Sequence, residues 1–302
     1  IELDEKDAGL WIGLGDLLKN HLQRYAEAEA AYRKAIELDE KDARSWFSLG
    51  HLLHVHLKRY AEAEATYRKA IELDEKNARP WNNLGNLLKA HLERYAEAEA
   101  AYRKAIELDE KDAGLWIGLG DLLKNHLQRY TEAEAAYRKA IELDEKNARP
   151  WNNLGNLLQD HLQRYAEAEA AYRKAIELDE KYAVPWNNLG NLLTVHLERY
   201  AEAEAAYRKT VELDEKNARP WNNLGNLLQD HLERYAEAEA AYRKAIELDE
   251  KYAPPWNNLG NLLSDHLERY VEAEATYRKA IELEEKYAAP WNGLGNLLQD
   301  HL

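Results

Sequence analysis

The chain has no cysteine and no methionine, a single phenylalanine and only 7 prolines in 302 residues. Without cysteine there is no disulfide, no thiolate nucleophile and no thiolate-held metal. No run of 18 apolar residues occurs, so no segment reads as a membrane-spanning helix. Positive charge is scarce as well: 41 Lys and Arg against 56 Asp and Glu give a net charge of −15. A nucleic-acid partner would call for a basic stripe, so that class is excluded. No Asn-x-Ser/Thr sequon occurs, and no signal-peptide pattern precedes Ile1. Opening on Ile rather than Met, the chain reads as a piece of something longer.

What is present is 45% hydrophobic, with 19 Tyr and 9 Trp, enough for a large core. The tryptophans stand at 11, 46, 81, 116, 151, 186, 221, 256 and 291, each 35 residues from the last. Aligned on them, complete repeats run 8–42, 43–77, 78–112, 113–147, 148–182, 183–217, 218–252 and 253–287. Partial ones occupy 1–7 and 288–302. No linker interrupts them, so the expectation is one array over 1–302. Repeats 8–42 and 113–147 are nearly identical, which favours block duplication of a natural array over a designed consensus, although a designed repeat protein stays open.

Two helices fit each repeat. Trp81, Leu84, Leu88, His91 and Leu92 fall on one helical stripe, with Pro80 in the first turn and Asn77 as N-cap. Tyr182, Tyr252 and Tyr287 replace that cap without its chemistry. From about Tyr95 to Lys111 a second helix puts Tyr95, Ala98, Ala101, Tyr102, Ala105 and Leu108 on its apolar side. Strand signals are absent, so the class is all-α. Gly85 is expected to admit Ala98, and Glu99–Arg103 and Glu107–Lys111 are expected as solvated i, i+4 pairs.

The pattern Trp81-x-x-Leu84-Gly85-x-x-Leu88 … Ala98-x-x-x-Tyr102 resembles the tetratricopeptide repeat. The chain departs from it in three ways: Leu88 stands where Tyr is usual, Glu110 where Pro is usual, and the repeat is one residue longer, with the addition falling in KAHLERY. The resemblance implies a right-handed superhelical α-solenoid of antiparallel helix pairs. It also implies a concave groove, lined by the first helix of each repeat, in which an extended peptide or partner segment lies.

Carried onto this sequence, that groove face comprises Asn82 and Asn86, with Asn152/Asn156, Asn187/Asn191, Asn222/Asn226, Asn257/Asn261 and Asn292/Asn296. Carboxamides both donate and accept, so they can hold a peptide backbone without reading its side chains. Repeats 1, 2 and 4 carry Ile12/Asp16, Phe47/His51 and Ile117/Asp121 instead, which can anchor a ligand side chain. A turn further on, the face is basic in the first four repeats, at Lys19, His54, Lys89 and Lys124, and acidic later, at Asp160, Asp230 and Asp265. An acidic part of a partner would then lie over repeats 1 to 4.

Nine histidines occupy one repeat position, His21, 56, 91, 126, 161, 196, 231, 266 and 301, near the end of the first helix. That spacing makes a ladder rather than a metal cluster, with imidazoles expected at unpaired carbonyls. His51 and His54 add a local group beside His56, but no metal and no cofactor are expected. No nucleophile–base arrangement or phosphate loop appears, so no enzyme is expected. The expectation is a non-catalytic scaffold that binds a protein or extended peptide. The alternative is a structural element that self-associates through open repeat ends into a filament.

Overall fold

A computed structural model describes residues 6–301; residues 1–5 and 302 of the expected array lie outside it. The described residues form 17 α-helices and one π-helical turn, with no strand among them. None of these helices is long and apolar enough to cross a membrane. The helices gather into two compact bodies, one up to Lys146 and one from Asn147 onward. Each body is a stack of antiparallel helix pairs, one pair per repeat.

Local chemistry fixes where each helix begins. In repeat 3 the first helix spans Ala78–Ala90, and the Asn77 carboxamide accepts from the Arg79 N–H at 3.1 Å. Tyr182, Tyr252 and Tyr287 precede their helices without a side-chain cap. The second helix, Tyr95–Leu108, has no side-chain cap either, but Glu97 in its first turn meets the positive end of the dipole. Ala98, Ala101, Tyr102 and Ala105 on this helix are buried, as are Leu84, Leu87 and Leu88 on the first. Leu87, fully buried, lies outside the expected stripe, which is therefore broader than Trp81, Leu84 and Leu88 alone.

Gly85 makes room for the core tyrosine. A Cβ there would lie 3.2 Å from the Tyr102 ring, and at Gly155 it would lie 2.5 Å from Tyr172. The core tyrosine lies across the glycine, which explains why these two residues recur together.

The extra residue of the repeat falls in the turn between the helices. One non-glycine residue per repeat there adopts left-handed geometry, with φ of 52–55° at Gln23, Lys58, Glu93, Gln128, Gln163, Glu198, Glu233 and Glu268. A wide bond from the Arg94 N–H to the Leu88 carbonyl, 3.0 Å, closes the turn. Such geometry costs an L-residue about 1–2 kcal/mol.

Between second helices the charges form closed rings rather than isolated pairs. Arg94 donates to Glu64 at 2.8 Å and to Glu97 at 2.6–2.7 Å, while Arg68 donates to Glu64 at 2.9 Å and to Glu97 at 3.0 Å. Glu99 and Arg103 pair as expected, 2.8 Å, inside the next such ring. Glu107, by contrast, pairs with Lys104 at 2.8 Å and not with Lys111. The i, i+3 partner is already on the helix, whereas Lys111 lies beyond its end at Leu108.

Candidate functional site

The expected groove residues lie on first helices, but the structure divides them by burial. Ile117, Asn152, Asn222 and Asn257 are buried, at 3%, 3%, 5% and 4% exposure. They cannot lie open on a groove, and this corrects the expectation for those four. Asp160, Asp230, Asp265, Asn292 and Asn296 are exposed. The remaining sixteen, from Ile12 to Asn261, are half-buried.

A hydrogen-bond ladder engages the half-buried asparagines. Tyr102 donates its hydroxyl to Asn86 Oδ1 at 2.6 Å, and Tyr172, Tyr207, Tyr242 and Tyr277 do the same to Asn156, Asn191, Asn226 and Asn261 at 2.7–2.9 Å. Asp16 and Asp121 take the acceptor role in repeats 1 and 4. Burial keeps these phenols protonated and donating, pushing Tyr207 up to about 12 and Tyr102 and Tyr172 higher.

In the C-terminal body a second set of bonds runs between repeats. Asn188 Nδ2 donates to Asn152 Oδ1 and Asn156 Oδ1 at 3.0 and 2.9 Å. Asn223 donates likewise to Asn187 and Asn191, and Asn258 to Asn222 and Asn226, at 2.9–3.3 Å. Asn188, Asn223 and Asn258, the middle asparagines of their Asn-Asn-Leu-Gly-Asn runs, are thus the donors that tie one repeat to the one before. The sequence carried the signal, three amides at i, i+1 and i+4 recurring every 35 residues, but the middle one was not singled out.

The downstream positions differ in availability. Lys19 is held by Asp16 at 3.3 Å and lies over the Tyr32 ring, 5.8 Å from its centre; Lys89 lies 5.5 Å from the Tyr102 ring centre. His54 receives or donates a 3.4 Å bond with the Tyr67 hydroxyl, and burial lowers its pKa to about 4. Burial and nearby Lys19 also hold His51 below the usual histidine range, while Asp230 is raised by burial.

The recurring histidines do not reach helix-end carbonyls. His91 is the C-cap residue by its backbone, but its imidazole stacks on Tyr60 of the preceding repeat, 4.0 Å between ring centres. The same stack joins Tyr25 to His56, Tyr95 to His126, Tyr165 to His196 and Tyr200 to His231 at 4.1–4.5 Å. A flat apolar face is the closer partner, and the helix-end carbonyls are met by backbone N–H groups instead. Repeat 2 departs further: Leu52–His56 winds as a π-turn that brings His54 to 5.3 Å from His91. Among the described residues no group of three or more His, Asp or Glu is placed to hold a metal.

Family models described as "Tetratricopeptide repeat" match residues 10–78, 78–112, 147–216, 181–251 and 241–275, and one described as "TPR repeat" matches 125–161. The chain belongs to the tetratricopeptide-repeat family. No curated protein sequence matches it. Among solved structures, this tetratricopeptide-repeat chain is similar to the APC/C hetero-tetramer Cut9–Hcn1, with 18% identity over 99% of this chain and 57% of that one, at a TM-score of 0.63. It is similar to PilF of Pseudomonas aeruginosa, 22% identical over 74% of this chain and 98% of that one, TM-score 0.61. MamA matches at 24% over 56% of this chain and 96% of its own, TM-score 0.50. At these identities the likeness is one of fold.

Proposed function

We propose that this tetratricopeptide-repeat chain is a non-catalytic scaffold that holds an extended segment of a partner protein against the first helices of its repeats. One observation carries the reading. The tyrosines, glycines and ion rings recur almost unchanged, whereas side chains at the end of the first helix vary from repeat to repeat and reach solvent, as at Asp160, Val195 and Asp230. Constant residues build the array; the variable ones are left to choose a partner.

Charge supports an orientation. Lys19, Lys89 and Lys124 belong to the N-terminal body, Asp160, Asp230 and Asp265 to the C-terminal body. The acidic part of a partner is drawn to the former, mainly through the rate of encounter. Replacing Lys19, Lys89 and Lys124 by Glu is expected to slow association of an acidic peptide at low salt in stopped-flow binding. Unchanged association would refute the orientation. Particle length growing with concentration in light scattering would favour the assembling element instead.

A further inference from the structure

Building on the groove reading, we propose that the partner is anchored over repeats 1 to 3 by an apolar side chain beside one carboxylate. The reasoning starts from the register of the asparagine ladder. The middle position of each repeat donates to the first and third positions of the repeat before, as Asn188 does to Asn152 and Asn156. Where all three positions are asparagine, the amides are consumed within the array and have little left for a ligand.

Every rung of this kind is interrupted in the N-terminal body. Ser48 takes the donor position against Ile12 and Asp16, and Asp16 already accepts from Tyr32 and Lys19. Asn83 takes it against Phe47 and His51. Gly118, with no side-chain donor, takes it against Asn82 and Asn86. Among the described residues, the carboxamides of Asn82 and Asn83 and the Ser48 hydroxyl accordingly have no hydrogen-bond partner. The Nδ1 atom of His51 is buried without one. The C-terminal body shows the same rule once: Gly293 stands at the donor position, and Asn257 Oδ1 is buried and unpaired.

Ser48, His51, Asn82 and Asn83 line one cavity of about 690 Å³, together with Ile12, Phe47 and Arg79. That volume lies within the range of small ligand sites, and polar groups that converge there without partners are what a bound segment would satisfy. Phe47, the chain's only phenylalanine, offers a half-buried ring 6.1 Å from that of Tyr67, a floor for an apolar side chain. Asn82 and Asn83 can meet a peptide unit as donor and acceptor. Of the three cations lining the cavity, Lys19 is held by Asp16 and Arg44 by Asp42 at 3.0 Å. Asp112 also lines the cavity, but its carboxylate accepts from the Gly114 N–H at 2.8 Å and makes no ion pair with Arg79, which is the cation left for a ligand carboxylate. A single acidic residue beside an apolar one is therefore the complement, rather than a long acidic run.

The test is selection of a phage-displayed library of short randomised linear peptides on the full chain, followed by anisotropy titration of the enriched sequences. Enrichment of an aliphatic or aromatic residue close to a single Asp or Glu, on either side, is expected. Affinity should fall at least about tenfold in Arg79→Glu and in the double variant Phe47→Asn/His51→Asn, which supplies the missing acceptors to Asn83. Thermal melting of that double variant should be unchanged or higher, separating lost binding from lost folding. Asn188→Ala, which breaks a rung in the other body, should lower the melting temperature and leave affinity within about twofold. Enriched peptides that are basic, or that bind the double variant as tightly as the parent, overturn the anchor. Affinity lost instead on replacing Asp160, Asp230 and Asp265 by Lys overturns it while leaving the groove reading intact. No enrichment at all overturns the groove reading, and the anchor with it.

Discussion

Asn188→Ala removes two hydrogen bonds at once, to Asn152 Oδ1 and Asn156 Oδ1, at 3.0 and 2.9 Å. Asn156 keeps its bond from Tyr172, but the Oδ1 of Asn152, 3% exposed, loses its donor and cannot replace it from bulk water. Each lost bond costs about 0.5–1.5 kcal/mol, and a buried orphan adds about 1–3 kcal/mol. Alanine returns up to about 0.7 kcal/mol as the better helix former. The net expectation is about 1–5 kcal/mol of destabilisation. Asn83→Ala supplies the control, because Asn83 occupies the same repeat position without a partner. It should be neutral or slightly stabilising, since only the helix-propensity gain remains. Repeat arrays need not unfold in one step, so urea titration should be joined to amide hydrogen exchange of Ala148–Asp160 and Ala183–Val195, the helices the rung connects. Equal effects of the two substitutions, or no loss in Asn188→Ala, would refute the ladder as a source of stability.

Glycine substitutions should grade with the space beneath them. Gly155→Ala, with Tyr172 atoms 2.5–3.0 Å from the new carbon, should cost about 1–3 kcal/mol in urea unfolding, Gly85→Ala less, and Gly295→Ala, with nothing within 4 Å, should be neutral or favourable. Glu93→Asn at φ 53° should raise stability by roughly 0.5 kcal/mol, since Asn tolerates the left-handed region better, and a loss would show that the turn is held by its glutamate. His54 has a folded pKa of about 4, below the ordinary 6.5, so the unfolded chain takes up a proton first. Its stabilising contribution is present above pH 6.5 and is lost as pH falls towards 4; His54→Gln should flatten the urea midpoint over that window. Conversion of the ion rings to unpaired charges by Glu64→Gln should lower the melting temperature more at low salt than at high salt.

The fold was legible because it rests on periodicity. Trp81, Leu84, Leu88, Ala98 and Tyr102 recur at fixed spacing, and a helical stripe that recurs every 35 residues admits few arrangements other than stacked helix pairs. What sequence spacing along one helix cannot reveal is contact between repeats. His91 against Tyr60, Arg94 against Glu64 and Asn188 against Asn152 each join residues about one repeat apart. Spacing along one helix shows only the local side of such contacts: a histidine at a helix end, an acid four residues before a base, an amide on the groove face. The buried Asn152, Asn222 and Asn257 belong to the same class, polar side chains that look solvent-facing until the neighbouring repeat covers them. Leu87 was missed for a related reason, since its burial depends on a second helix packing on a broader face than the narrow stripe suggests.

The central claim is that one sequence motif serves two ends: Asn188, Asn223 and Asn258 tie repeats together in the C-terminal body, while Asn82 and Asn83 stand unengaged in the N-terminal body. Side-chain carboxamide resonances report this directly in the chain labelled with ¹⁵N asparagine. The NH₂ protons of Asn188, Asn223 and Asn258 should exchange slowly with water, while those of Asn82 and Asn83 exchange quickly and shift on addition of a selected peptide. Uniform fast exchange at all five, or peptide-induced shifts confined to Asn188, Asn223 and Asn258, would contradict the account.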